Sequence, residues 1–135
     1  MKKYFRSPTK GKLSLSGIIE EIIAFIDEQP ENIYRLVIGS DSQERRLNGE
    51  KELSLVSAIV IYRKGNGGRY FYQKLKQKQA YSLRDKIYRE AIYSVEVAHK
   101  LLPLLDKKLN GTKPYEIEIH LDVGQNGETK DMIKE

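Results

Sequence analysis

Apolar positions recur at helical spacing early in the chain. Leu15, Ile18, Ile19, Ile22, Phe25 and Ile26 fall on one side of a helix, and Pro30 stops it. The pattern then changes. Residues 34–40 (YRLVIGS) predict a short strand whose centre, Leu36-Val37-Ile38, is apolar on both faces, as a central strand should be. Asn48-Gly49 signals a tight turn. LSLVSAIVIY (53–62) and RYFYQKLKQK (69–78) read as two further strands, separated by the turn GNGG (65–68). Residues 34–78 therefore predict an antiparallel meander of three strands. Residues 1–12 are basic and are expected to be extended.

Beyond the meander, Ser82 is a candidate N-cap, with Asp85 three residues on. A long helix is expected to run from there to about Lys108. Ile87, Ala91, Val95, Ala98, Leu102, Leu105 and Leu109 are its predicted buried stripe. Asn110-Gly111 and Pro114 end it. YEIEIHLDV (115–123) alternates and predicts a fourth strand. The intervening helix makes a crossover, so this strand is expected to lie parallel to the first strand of the meander. GQNG is a turn, and a helix is expected from Glu128. The result is one α/β domain over residues 1–135, with a mixed sheet of three antiparallel strands plus a parallel one. After an extra N-terminal helix, this is the element order of the front half of a ribonuclease-H-like fold.

Composition narrows the setting. The 135 residues are 39% hydrophobic and 32% charged, which suits a globular chain. There is no cysteine, which excludes disulfides and thiolate zinc sites and fits a reducing compartment. No signal-peptide pattern and no apolar run of about 20 residues occurs, so no membrane association and a cytoplasmic location are expected. The net charge of +5 favours polyanionic partners, RNA or DNA, although such a charge also serves solubility. Oligomeric state has no signature in the pattern.

Three acidic residues stand where phosphoryl-transfer chemistry could use them. Two-metal sites need carboxylates converging on ions about 3.5–4 Å apart, and Mg²⁺ or Mn²⁺ takes hard oxygen ligands. Asp41 follows the first predicted strand and Asp122 lies near the end of the fourth. If those strands are parallel neighbours, both carboxylates sit at one sheet edge. For a third, helical phase ranks the candidates. With Ile87 at about 0° the stripe centres near about 20°, and Glu90 falls at about 300°, while Asp85 and Glu96 fall at about 160° and 180°. Glu90 alone borders the buried face. The bland alternatives stand beside this: an aspartate after a strand also caps turns, and Glu90 can pair with Arg89, Lys86 or Arg84.

Basic residues supply a second candidate surface. Lys74, Lys76 and Lys78 alternate on one strand face behind Tyr70 and Tyr72, a pattern suited to nucleic acid. Lysines on an edge strand also block aggregation. Arg45 and Arg46 are expected in the loop beside Asp41, within reach of phosphates or simply solvated. In DVGQNGETKDM, two glycines precede a helix start, but the spacing is not that of a P-loop and a plain turn accounts for it. His120 shares a strand face with Asp122 and is a candidate to assist there or to serve structure alone.

SPTKGKLS (7–14), VIGSDSQ (37–43), REAIYSVEVAHKL (89–101) and HLDVGQNGETKDMI (120–133) resemble the YkuK-like family of bacterial proteins with a ribonuclease-H-like fold. The resemblance covers nearly the whole chain, and SDSQ and DVGxNGxT are its most specific parts. It implies that Asp41, Glu90 and Asp122 match the acidic positions of that superfamily. Family members are expected to continue with another strand, a final helix and a further acidic residue, so the chain is expected to lack the C-terminal strand and helix of the fold. Two functions follow as expectations. One is a Mg²⁺- or Mn²⁺-dependent nuclease or phosphoryl-transfer protein acting on RNA or DNA, with Asp41, Asp122 and Glu90 around the metal. The other is a non-catalytic module of the same fold that binds nucleic acid or a protein partner.

Overall fold

A computed structural model describes residues 3–77 and 83–121. Strand β1 (Tyr4–Ser7) and strand β2 (Gly11–Ser14) precede helix α1 (Leu15–Glu28). Then come β3 (Tyr34–Leu47), β4 (Glu50–Arg63), β5 (Gly68–Gln77), helix α2 (Leu83–Lys108) and β6 (Tyr115–Leu121). The strands form one sheet in the order β2-β1-β5-β4-β3-β6. β3, β4 and β5 are the expected antiparallel meander, and β6 lies parallel to β3.

Two strand expectations need correction. The sequence predicts an extended stretch over 1–12; residues 4–7 and 11–14 are strands, joined by a turn at 8–10 into an antiparallel hairpin that continues the sheet beyond β5. β3 does not stop at residue 40. It runs on to Leu47 and turns directly into β4 through Asn48 and Gly49, both at positive φ (53° and 81°). Two central residues at positive φ give the hairpin a twist that matches its strands. The polar stretch SDSQERRL is therefore strand and not loop, because β4 supplies its hydrogen bonds along the whole length.

Both helices contribute to one core against a single face of the sheet. Ile18, Ile22 and Phe25 of α1 and Val97, Leu101 and Leu105 of α2 join Leu36, Ile38, Ile59, Ile61 and Phe71. Ser14 caps α1 by accepting the N–H of Gly17 at 3.2 Å. The end of α1 is clamped by Arg63. Its guanidinium donates to the Phe25 carbonyl at 2.6 Å, to Glu28 at 2.9 Å and to the Tyr34 hydroxyl at 3.0 Å. It also lies over the Phe25 ring, 3.9 Å from the centroid.

α2 is rotated relative to the stripe expected from its sequence. Its buried residues are Glu90, Tyr93, Ser94, Val97, Ala98, Leu101 and Leu105. At 100° per residue that arc centres roughly 60° from the predicted one. Val95, expected inside, is 55% exposed, and Ile92 beside it is 64% exposed. The physical reason is polar pairing: the buried arc carries three polar side chains that find partners on the sheet, as described next. No helix among the described residues is long and apolar enough to cross a membrane.

Candidate active site

Strand alternation sorts the side chains of β3 onto two faces. Tyr34, Leu36, Ile38, Ser40 and Ser42 face the helices, whereas Val37, Gly39, Asp41 and Gln43 face the opposite, open side. On the helix side a polar seam joins α2 to the sheet. Ser94 donates to Ser40 at 2.8 Å, both hydroxyls being buried. Ser42 directs both its backbone N–H, at 2.7 Å, and its hydroxyl to one carboxylate oxygen of Glu90, which is only 7% exposed. Tyr93 donates its hydroxyl to Gln73. Its proton is held up to about 12 by burial, with the charge of Glu96 adding to the effect. The Ser57 hydroxyl is fully buried beside Ser40 in register and has no partner among the described residues.

The seam grips β3 on both sides of Asp41. Residues 40 and 42 are tied to α2, so the residue between them is held with its side chain toward the open face. Asp41 is exposed there, in a groove it shares with Val37, Gly39, Gln43, Val56 and His120. Glu90 thus reaches the segment that carries Asp41, but from the other side of the sheet. Glu90 is engaged by Ser42 on the helix side, and Asp41 lines the groove on the open side.

The parallel pairing of β3 with β6 is the feature that bears on Asp122. The register runs Ile38 to Ile119, Gly39 to His120 and Ser40 to Leu121. Asp41 is the next residue after Ser40, and Asp122 the next after Leu121. Asp122 itself lies outside the described residues, as does Lys78. His120 faces the open side and exchanges a hydrogen bond of 2.8 Å with Glu118, which also meets Arg35 at 3.4 Å.

The basic candidates are distributed more widely than expected. Arg45 and Arg46 belong to β3, opposite Glu52 and Lys51 in register, and not to a loop. Lys74 and Lys76 are on β5, on the open face, and Lys76 lies 3.8 Å from Glu52. Asp41, Val56 and Lys74 form one row across three strands. Two strand spacings separate the Asp41 and Lys74 backbones, about 10 Å.

Among the described residues no three His, Cys, Asp or Glu side chains approach closely enough to hold a metal ion. Asp41 offers an exposed carboxylate on a braced strand, the hard oxygen donor that Mg²⁺ or Mn²⁺ takes, usually with one further carboxylate and water. Residues that sequence reasoning missed are the seam members Ser40, Ser42, Ser57, Gln73, Tyr93 and Ser94. Part of the signal is present, in Ser40, Ser57 and Gln73 on predicted strands and in polar residues one turn apart on the helix, whereas Ser42 lies beyond the strand predicted over 34–40.

Comparison with known proteins agrees with this architecture. Residues 17–135 match the family described as "Ribonuclease H-like". The chain is also 31% identical over 143 aligned positions to a Bacillus subtilis (strain 168) protein described as "Uncharacterized protein YkuK". That alignment covers 97% of this chain and 79% of the relative. No solved structure matches it. With its mixed sheet, its crossover helix and these similarities, the chain belongs to the ribonuclease H-like family, on a YkuK-like branch.

Proposed function

We propose that the protein is a metal-dependent nuclease or phosphoryl-transfer protein acting on RNA or DNA, with Asp41 and Asp122 as the carboxylates that hold Mg²⁺ or Mn²⁺. The observation that supports this is the parallel register of Ser40 with Leu121, because the residue that follows each is an aspartate. Bound there, such an ion would activate water and stabilise the leaving oxygen of a phosphodiester.

The chain's own residues divide the remaining work. Asp41 presents its carboxylate from a strand whose flanking serines are tied to α2, so little ordering is left to do when a ligand arrives. Glu90 acts as the brace for that strand. Its acceptor oxygen is engaged by Ser42, on the face away from Asp41, so this geometry supports a positioning role better than the ligand role expected from sequence.

Thermal unfolding with added Mn²⁺ tests the metal part. An ion bound to the native state only, at about a hundred times its Kd, adds about 2.7 kcal/mol of stability and raises the midpoint. The wild type should show the rise and Asp41→Asn should not. An equal rise in both proteins, or none in the wild type at millimolar Mn²⁺, would remove Asp41 from the site.

A further inference from the structure

We propose that the open face of β2, β1 and β5 is a binding track for single-stranded nucleic acid, with Arg6, Lys12 and Lys74 meeting phosphates and Tyr4, Tyr70 and Tyr72 meeting bases. The track stands apart from the carboxylate site and needs no metal.

The unforeseen N-terminal hairpin creates this surface. In register Arg6 lies between Lys12 on β2 and Tyr72 on β5, so the three side chains share one row on the open side. Tyr70 and Tyr72 follow each other on that face with stacked rings, centroids 6.4 Å apart. The Lys12 ammonium lies 4.3 Å from the centre of the Tyr4 ring. Lys3, Tyr4, Arg6, Lys12, Tyr72 and Lys74 line a single groove. The partner's chemistry follows from this inventory. Cations beside the exposed rings of Tyr4 and Tyr70 and the half-buried ring of Tyr72 match a chain that alternates phosphates with flat bases. None of β1, β2 or β5 contains an acidic residue. The carboxylates of the open face lie on the other strands, among them Asp41 on β3 and Glu116 and Glu118 on β6, and Glu52 on β4, beside β5, is met by Lys76 at 3.8 Å.

Protection of a bare sheet edge does not explain Lys74. β1 covers β5 at that point, with Arg6 paired to Tyr72 and the Gln73 amide donating to the Tyr4 carbonyl at 3.2 Å. Duplexes keep their base faces stacked inside, whereas rings lying open on a sheet can take only unpaired bases. The row Asp41–Val56–Lys74 then places the end of the track about two strand spacings, roughly 10 Å, from Asp41.

The test is fluorescence anisotropy of a labelled single-stranded oligonucleotide of about 12 nucleotides with the full chain in EDTA. The wild type should bind it, more weakly as salt rises, and should prefer it to the duplex of the same sequence. Tyr70→Ala with Tyr72→Ala should weaken binding by about tenfold or more. Arg6→Glu with Lys12→Glu, exposed changes that leave the core untouched, should weaken it further and flatten the salt dependence. Unchanged affinity in the glutamate variant, or equal affinity for duplex and single strand, would overturn the proposal. Because EDTA removes the metal, an inactive Asp41→Asn protein that still binds separates the failure of the carboxylate site from failure of the track.

Discussion

One carboxylate oxygen of Glu90 accepts both the backbone N–H of Ser42, at 2.7 Å, and the Ser42 hydroxyl, joining α2 to β3 across 48 residues of sequence. A strand N–H needs an acceptor, and for Ser42 that acceptor is Glu90. Glu90→Ala removes that acceptor and should cost about 1–3 kcal/mol of stability, while Glu90→Gln, which keeps an acceptor oxygen, should cost less. Midpoints from thermal unfolding decide it. If the alanine variant melts with the wild type, Glu90 is not the brace of β3.

Ser57 makes the opposite case. Its hydroxyl is buried, and no partner among the described residues offsets its desolvation penalty. Ser57→Ala should therefore be neutral or stabilising by up to about 1 kcal/mol, whereas Ser94→Ala, which strips Ser40 of its bond, should destabilise by about 1 kcal/mol. Matched urea unfolding of the two variants gives the comparison. Equal losses in both would mean that Ser57 has a partner after all, such as a buried water.

Tyr93 predicts an alkaline limit. Folding holds its hydroxyl neutral up to about 12, with burial the main cause, whereas in the unfolded chain it ionises near 10. The folded pKa is the higher one, so this contribution is complete below pH 10 and is lost as pH rises from 10 toward 12. Tyr93→Phe should be less stable at pH 8, because Gln73 loses a donor, and should lose less stability than the wild type between pH 10 and 11.5. Parallel slopes for the two proteins in that window would contradict the assignment.

The fold was largely legible because the meander and the crossover are written in strong local signals. Asn48-Gly49 and the glycines at 65–68 punctuate three β-branched and aromatic runs, and α2 forces β6 to run parallel to β3. The rest depended on tertiary pairing. The YFRS and GKLS segments are too short to announce a hairpin, and they become strands because β5 offers a partner at Tyr72. SDSQERRL lacks an apolar core, yet β4 pairs with it residue by residue. The phase of α2 was misread because apolar residues occur on two arcs of the helix, and the arc that contains Glu90, Tyr93 and Ser94 is the one turned to the sheet. Helical spacing counts apolar positions and gives no weight to the pairs Ser94–Ser40, Glu90–Ser42 and Tyr93–Gln73. In the candidate site, the strand ends that lead into Asp41 and Asp122 were readable from the order of elements. Which face of the sheet Asp41 uses required the register.

Cleavage of a labelled single-stranded RNA or DNA in Mn²⁺ or Mg²⁺, compared among the wild type, Asp41→Asn and Asp122→Asn, tests the central proposal most directly. Loss of an outer partner at a metal site already costs 10–100-fold, so loss of either carboxylate should lower the rate by about a hundredfold or more, with the fold intact by thermal unfolding. EDTA should abolish cleavage by the wild type. Cleavage that survives Asp41→Asn unchanged would contradict the proposal, as would a wild type that binds the strand but never cleaves it in either metal.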